Sequence, residues 1–321
     1  MHLATHGRHR VQGGSPSRAT GSRHPRVRDT QAAPFRETQA WRACGTRAKS
    51  APLSLVEPTV QGRGGREGAA TPSSRNRYIS SERFSLTLKL VDLSQEIAHK
   101  DKFGQHPLHP TPYIFPYITH EESAKQLKGI SYTTEWLNIN SHSGTHVDSP
   151  RHCDPKAGAM TIDKVPLEWL YGDAVCVDVS HFAPKSWISA ADLEEAVKKS
   201  GVQIKRGDIV LLYTAHWNRH RGTPSYSTDN PGLTKEACEW LADQGVKSFG
   251  VDSVTPDNPI DQAQNRIFPC HEVLRDRQFI HMENLANLDK VVGKRFTFIG
   301  FPVKLSGASA APIRAVAILD G

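Results

Sequence analysis

The feature that most constrains this chain is a run of eleven residues, HSGTHVDSPRH, at positions 142–152. Three imidazoles and one carboxylate fall at even positions in it: His142, His146, Asp148 and His152. Side chains two residues apart lie on the same face of an extended strand. The spacing therefore places all four groups on one face, and a chance clustering of surface or core histidines is the less favoured interpretation.

The segment cannot be a straight strand if these side chains bind one ion. Residues 142–148 fully extended would span about 20 Å, whereas the ligands of one ion lie a few ångströms apart. Gly144 permits backbone conformations that other residues avoid, and Pro150 fixes a bend. A helix with His142 and His146 at i and i+4 is the alternative, but Gly144 and Pro150 are unfavourable inside a helix. We predict a curled, extended segment.

Imidazole and carboxylate together are typical ligands of Zn²⁺, and carboxylate also suits Mn²⁺. His152 comes later in the run than the other three groups and could stay free of the ion. Its ordinary pKa lies near neutrality, so it is a candidate catalytic residue that moves protons.

The string H-x-G-T-H-x-D-x-P-x-H resembles the signature of the metal-dependent cyclase-like hydrolases, a family that includes bacterial kynurenine formamidase and isatin hydrolase. The resemblance runs from about Leu86 to Gly321 and includes the opening Val91-Asp92-Leu93-Ser94. It implies a swivelling β/β/α fold. Residues 1–84 have no part in it.

The resemblance also implies a ligand set. One ion would be bound by His142, His146 and Asp148, and Asp148 would reach a second ion completed by His271 and Glu283. Some members of the family use one ion, so one or two ions per chain, Zn²⁺ or Mn²⁺, are expected.

Several alternatives stay open for single residues near this site. Glu283 could instead form an ion pair with Arg275 or Arg277. His281, and with it His216 and His220, has no role in the resemblance, so we expect surface or outer positions around the site for these three. Cys153 and Cys270 flank His152 and His271 but are interpreted as unreactive thiols.

The charge of the chain is unevenly distributed. Residues 1–84 contain fifteen Lys and Arg against five Asp and Glu, whereas residues 85–321 contain 25 against 28. The sequence pI of 9.2 thus comes from the first 84 residues, and nucleic-acid binding by the remainder has little support. We interpret residues 1–84 as a disordered basic extension, either a transit peptide or the product of a misassigned start.

No apolar run approaches the eighteen residues of a membrane span, and the first thirty residues lack the apolar segment of a secretory signal. The five cysteines are odd in number and show no CxxC spacing, which is typical of reduced intracellular thiols. We expect a cytoplasmic protein, or a mitochondrial one if the extension is a transit peptide.

Residues 85–321 alternate between strand and helix patterns. Short apolar runs predict central strands at 174–179, 208–214 and 246–251. Amphipathic helices are predicted at 190–199, with Ser189 as N-cap, and at 234–244, followed by Gly245. Further strands are expected at 86–91, 132–140, 279–282, 296–301 and 315–319. The sequence thus predicts one α/β domain, a mixed β-sheet core with flanking helices.

Aromatic residues surround the metal-binding run in the sequence. Residues 106–120 contain four prolines and read as an extended loop. This loop and the following strand supply candidate substrate-binding residues: Phe115, Tyr117, Tyr132 and Trp136. Covering an edge of the core is the equally favoured interpretation of these aromatics.

The function expected from these features is metal-dependent hydrolysis of a C–N amide bond in a small aromatic compound. Arylformamidase activity on N-formylkynurenine, a step of tryptophan catabolism, comes first, and an isatin-type lactam hydrolase comes second. A metal-binding scaffold or small-molecule carrier without turnover is the alternative from another class. No G-x-S-x-G elbow indicates a serine nucleophile. The resemblance further implies a homo-oligomer, either a dimer or a tetramer.

Overall fold

The computed structural model describes residues 88–319. The predictions made for residues 1–84, disorder and a transit peptide, lie outside this range. Thirteen strands occur in the described part of the chain: β1 (Lys89–Asp92), β2 (Tyr113–Ile118), β3 (Thr134–Asn138), β4 (His146–Asp148), β5 (Tyr171–Asp178), β6 (Trp187–Ile188), β7 (Ile209–Tyr213), β8 (Gly232–Leu233), β9 (Ser248–Val251), β10 (His281–Glu283), β11 (Arg295–Ile299), β12 (Ala310–Pro312) and β13 (Val316–Leu319).

Five α-helices occur in the same range: α1 (His120–Ala124), α2 (Ala190–Ser200), α3 (His216–His220), α4 (Lys235–Asp243) and α5 (Pro269–Arg277). Short 3₁₀ turns add Pro150–His152, Ile162–Lys164, Leu167–Leu170, Pro224–Ser227 and Leu288–Lys290, and a single π-helical turn covers Asp261–Asn265.

A nine-stranded mixed sheet forms the centre of the fold. Its strand order is β1-β13-β11-β5-β7-β9-β10-β4-β12. Strands β5, β7, β9 and β10 run parallel, and the remaining neighbours pair antiparallel. Helices on a face of the sheet exclude water from the central strands, so these strands can be apolar throughout. The predicted α/β domain with a mixed sheet and flanking helices is confirmed.

Helices α2 and α4 cover one face of the sheet. Leu193 of α2 and Leu241 of α4 join one buried apolar cluster with Val175 and Val210 of the central strands. A second cluster, on the other side, includes Val147 and Met282, which flank the metal-binding run. The rigid sheet thus supports the site from behind.

The ends of these two helices follow their sequence signals. The Ser189 hydroxyl accepts a hydrogen bond from the Asp192 N–H, and the Asp192 carboxylate accepts one from the Ser189 N–H, so a capping box starts α2. The Thr234 side chain caps the N-terminus of α4 by accepting a hydrogen bond from the Ala237 N–H. Gly245, after α4, adopts φ +75°, which glycine tolerates at low cost. The two helices predicted from periodicity are confirmed.

The region predicted as an aromatic loop is structured instead. Strand β2 pairs antiparallel with β3 in a two-stranded hairpin outside the main sheet, and α1 follows β2. Pro116 lies in β2, where the register shifts between Pro116 and Ile118. A two-stranded hairpin has free edges, so the missing proline N–H breaks no ladder. The loop prediction for residues 106–120 holds as far as residue 112 and is wrong from Tyr113 onward, because an edge strand accommodates Pro116.

Two further sequence predictions concern membrane-spanning helices and the state of the cysteines. Among residues 88–319, no helix combines the length and apolarity that a membrane crossing would need. The four cysteines of this range, Cys153, Cys176, Cys238 and Cys270, are free thiols, as predicted.

Candidate metal centre

Strand pairing brings the two halves of the site together. Glu283 of β10 lies directly opposite His146 of β4 in the antiparallel register. Side chains at such opposed positions share a face of the sheet, and His146 Nε2 lies 3.3 Å from Glu283 Oε2. A pairing between residues 137 positions apart in the chain therefore builds the core of the cluster.

The metal-binding run is curled, as predicted. Gly144 adopts φ +65°, and a Cβ at this position would lie 2.5 Å from Ile97 Cγ1. After the short strand β4, the chain turns through the 3₁₀ segment Pro150–His152. His146 Nδ1 donates a hydrogen bond to the carbonyl oxygen of Gly144 at 2.9 Å, which leaves the lone pair of Nε2 directed into the cluster.

Three of the predicted ligands form a first donor group: His142 Nδ1, His146 Nε2 and Asp148 Oδ1. His142 Nδ1 lies 2.9 Å from Asp148 Oδ1 and 3.3 Å from His146 Nε2. His146 Nε2 lies 3.4 Å from Asp148 Oδ1. The structure brings these three atoms as close together as ligands of one ion must be.

A second donor group uses the other oxygen of Asp148. Asp148 Oδ2, His271 Nε2, His281 Nε2 and Glu283 Oε1 form a buried set with all ligand atoms within 4.8 Å of one another. His271 is on helix α5, and its Nε2 lies 3.6 Å from Asp148 Oδ2 and 3.8 Å from Glu283 Oε1. Asp148 thus belongs to both groups, the position that the resemblance implied.

His281 belongs to this second group, a placement that the sequence analysis missed. The side chain is fully buried, which rules out the expected surface position. Its Nε2 lies 3.5 Å from Asp148 Oδ2 and 3.4 Å from Glu283 Oε1. The available signal was the i, i+2 spacing of His281 and Glu283, which puts both on one face of a strand.

The alternative partners considered for Glu283 are engaged elsewhere. Arg275 pairs with the neighbouring Asp276, and Arg277 pairs with Asp243. The ion-pair interpretation of Glu283 was therefore wrong, because its carboxylate contacts imidazoles of the cluster and no arginine among residues 88–319.

The carboxylates of the cluster need a cation. Both oxygens of Asp148 and Oε1 of Glu283 are buried and lack a hydrogen-bond partner among residues 88–319. A buried carboxylate without hydrogen bonds costs several kcal/mol, roughly, unless it is paired or bound to metal. Two carboxylates and four imidazoles in one buried cluster are the donor set of a divalent metal centre.

Protonation in the cluster reflects the strong mutual attraction of its groups. Burial acts to lower the pKa of His146, but the nearby carboxylates of Asp148 and Glu283 outweigh it and raise the pKa to about 10. Burial acts to raise the pKa of Asp148, yet the charges of His142 and His152 hold it well below its usual range. Protons thus balance the carboxylates wherever a metal ion does not, and metal binding would displace them.

His271 is held in place by a carboxylate that the sequence analysis did not identify. Asp257 is fully buried, and its side chain accepts hydrogen bonds from the ring Nδ1 of His271 and from the backbone N–H of Cys270. Such a carboxylate fixes the tautomer of the ring and leaves Nε2 free to bind metal. No local pattern marked Asp257, which falls in a turn-rich stretch.

His152 lies at the boundary between the cluster and a cavity of about 410 Å³. Its Nε2 is 3.9 Å from Asp148 Oδ2, its ring centroid is 4.2 Å from that of His142, and its side chain remains 28% exposed. Burial lowers the pKa of His152 to about 4, although the charge of Asp148 opposes this shift. A neutral imidazole that faces an open cavity can accept a proton.

The cavity joins polar groups to an apolar wall. His152 and Glu283 line it together with residues of other elements: Leu108, His109, Ile267, Phe268 and His271. Cys153 also borders this cavity, but burial raises the pKa of its thiol to about 11. In the absence of metal the thiol is therefore protonated at neutral pH, although Cys153 lies close enough to His152 and His271 to share a metal ion with them.

The four aromatic residues proposed to bind substrate lie elsewhere. Phe115 is in β2, Trp136 is in β3, and Tyr117 and Tyr132 are in or beside the same hairpin. Their exposed fractions are 42%, 56%, 72% and 45%, respectively. None of them lines the described 410 Å³ cavity of the same chain, and their contact with substrate stays a prediction.

Comparison with known proteins places this geometry in a family. The model of the family described as Cyclase matches residues 91–258. An isatin hydrolase of Roseibium aggregatum is 26% identical over 213 residues, which cover 62% of this chain and 80% of that protein. A kynurenine formamidase of Salinibacter ruber is 30% identical over 186 residues, which cover 56% of this chain and 77% of that protein.

Solved structures agree on the fold. Isatin hydrolase A from Labrenzia aggregata, solved bound to benzyl benzoate, superposes with a TM-score of 0.63 at 20% identity and covers 73% of this chain and 95% of that one. Since the family model spans more than half of the sequence and carries the metal-binding run, this chain belongs to the Cyclase family, whose relatives named here are hydrolases.

Proposed function

We propose that this protein is a metal-dependent hydrolase that cleaves the C–N amide bond of a small aromatic substrate, with arylformamidase activity on N-formylkynurenine as the first candidate. The observation that carries the proposal is the buried His/Asp/Glu cluster with His152 beside it, at the edge of a cavity of about 410 Å³. A carrier without turnover has no need of a neutral imidazole at this position.

Zn²⁺ is the proposed ion, because four imidazole nitrogens and two carboxylates make the nitrogen-rich set that zinc prefers, with Mn²⁺ as the alternative. When bound, a divalent ion lowers the pKa of a water molecule toward neutrality and polarises a substrate carbonyl. The residues that would hold it are His142, His146 and Asp148, with His271, His281 and Glu283 on the other side of Asp148.

The chain's own contribution to the reaction is proton transfer by His152. Because its pKa is lowered to about 4, the ring is neutral at pH 7 and can take a proton from the attacking water. The same ring can then return a proton to the nitrogen that leaves. Its partial exposure to the cavity brings it within reach of substrate, while Asp148, 3.9 Å away, stabilises the imidazolium that forms.

The cavity favours a small and partly planar substrate. A volume of about 410 Å³ falls within the range of ordinary small-molecule sites. Leu108, Ile267 and Phe268 offer apolar contacts, and His152, His271 and Glu283 of the cluster line the same cavity. An aromatic ring packed against this wall would direct its amide carbonyl toward the cluster.

An isatin-type lactam hydrolase is the second candidate, supported by the isatin hydrolases among the similar proteins. The test is a comparison of N-formylkynurenine and isatin as substrates of the same preparation, with and without chelator. We expect turnover of N-formylkynurenine that is lost on chelation. Turnover of isatin alone would select the second candidate, and consumption of neither compound would support a carrier.

We also propose a homo-oligomer in which the hairpin β2–β3 packs against a second copy. Tyr117 and Trp136 are 72% and 56% exposed on this hairpin, with their ring centroids 6.2 Å apart, and such an exposed aromatic pair is typical of interaction surfaces. The measurement is the molar mass by light scattering after size exclusion. We expect a dimer or tetramer that Trp136→Glu weakens, with Glu135→Gln as the neighbouring control. A monomer at micromolar concentration would contradict this proposal.

A further inference from the structure

His281 is a buried histidine whose ring nitrogens have no hydrogen-bond partner among the described residues. The side chain is fully buried, and His281 is the first residue of strand β10, which ends at Glu283. Buried polar atoms nearly always have such a partner. The nearest polar neighbours of Nε2 are carboxylate oxygens at 3.4 and 3.5 Å, beyond normal hydrogen-bond length.

The spacing around this nitrogen matches the spacing of ligands around one ion. Zinc binds imidazole nitrogen and carboxylate oxygen at about 2.0 to 2.2 Å, so tetrahedral ligands lie about 3.4 Å apart. The four measured nitrogen–oxygen distances from His271 and His281 to Asp148 Oδ2 and Glu283 Oε1 are 3.6, 3.8, 3.5 and 3.4 Å. The four nitrogen–oxygen separations therefore have the length expected in a tetrahedral site, and all four ligand atoms lie within 4.8 Å of one another.

The first donor group differs from this arrangement. It has three mutually close ligand atoms, from His142, His146 and Asp148. Glu283 Oε2 lies 3.3 Å from His146, but no contact within ion-pair distance joins it to His142 among the described residues. His142, Asp148 and His152 are also close enough to hold one ion together, but His152 Nε2 lies nearest the other oxygen of Asp148, Oδ2, at 3.9 Å. With His152 assigned to proton transfer, the chain supplies three tetrahedral positions here and leaves the fourth to a water molecule or substrate, the pattern of catalytic zinc.

We propose that Asp148 Oδ2, His271, His281 and Glu283 Oε1 form a closed four-ligand metal site, with His281 as its fourth ligand. The ion in this site is part of the folded structure: it joins β4, α5 and β10 and neutralises the two carboxylates between them. The water that attacks substrate belongs to the three-ligand site. The inference shares with the proposed function only the premise that the cluster binds a divalent ion, and it does not depend on the substrate.

Because one site has four protein ligands and the other has three, the two sites should differ in how readily they lose their ions. A site with four protein ligands loses its ion more slowly than a site with an open position. Gradual chelation should therefore empty the three-ligand site first and leave about one ion per chain.

The test uses the full chain, freed of metal and titrated with Co²⁺, whose visible absorption is intense when the ion is tetrahedral. We expect the first equivalent to give this spectrum in the wild type. His281→Leu should weaken binding of the first equivalent by roughly 100-fold or more, since loss of even an outer partner of a ligand costs 10- to 100-fold. His281→Cys retains a ligand and should add a sulfur-to-cobalt charge-transfer band.

His216→Leu is the matched control, because His216 is also buried but donates to the backbone oxygen of Tyr226, away from the cluster. It should bind Co²⁺ as the wild type does. An unchanged first equivalent in His281→Leu, or the absence of a sulfur band in folded His281→Cys, would overturn the inference. None of these measurements involves substrate, so inactivity on both amides would remove the proposed function and leave the closed site intact.

Discussion

Asp148→Asn should bind at most one divalent ion tightly and should lose hydrolytic activity by roughly 10⁴-fold or more. The two carboxylate oxygens serve different donor groups, Oδ1 the group with His142 and Oδ2 the group with His271. An amide nitrogen cannot replace a carboxylate oxygen as a ligand, and the remaining amide oxygen can serve one group at most. Metal content by inductively coupled plasma mass spectrometry and turnover, measured on one preparation, check this.

The same substitution should also affect the metal-free protein. The imidazoles around Asp148 hold its pKa well below the usual range, so the ionised carboxylate stabilises the folded state, and its removal leaves buried imidazolium groups without their partner. The metal-free Asp148→Asn chain should therefore unfold at a lower temperature than the metal-free wild type, and zinc should raise this temperature by less than it does in the wild type. Asp173→Asn, at an exposed carboxylate, is the control. Two tightly bound ions in Asp148→Asn would contradict the shared role of this residue.

His152→Ala should lower kcat by about 10²- to 10⁴-fold, the usual contribution of general acid–base catalysis. The bound metal should stay unchanged, because each donor group has three or four ligand atoms without His152. Steady-state kinetics, together with metal content, separate the loss of a proton carrier from the loss of a ligand.

The pH dependence adds a second readout for His152. An imidazole that accepts a proton is inactive when protonated, so activity should fall on the acid side in the wild type. This limb should be absent from the residual activity of His152→Ala. His181→Ala, at an exposed histidine, should match the wild type. Full turnover by His152→Ala would show that another group moves the proton.

The sequence predicted the parts of the site that follow from local spacing. The even positions of His142, His146 and Asp148, with Gly144 between them, predicted a curled segment with its ligands on one face. The central strands could also be predicted from the sequence, because strands covered on both faces by other layers are apolar throughout, as in Ile209–Tyr213. In both cases the information lies within a few consecutive residues.

The parts that escaped prediction depend on pairing between distant segments. His271 and Glu283 came from the family resemblance, since nothing local shows that β10 pairs with β4 in the register that opposes Glu283 and His146. His281 has the same dependence, because its place in the cluster follows only from that register. Asp257 was missed because its partner, on helix α5, is brought near by tertiary packing.

We propose above all that hydrolysis by this chain depends on divalent metal bound at the Asp148 cluster. The most direct measurement is turnover of N-formylkynurenine and isatin by chelated protein during stepwise return of Zn²⁺, with bound zinc determined at every point. We predict no turnover of either compound without metal and, for one of them, activity that rises as zinc fills the cluster and is absent from Asp148→Asn. Full turnover by metal-free wild-type protein would contradict the account.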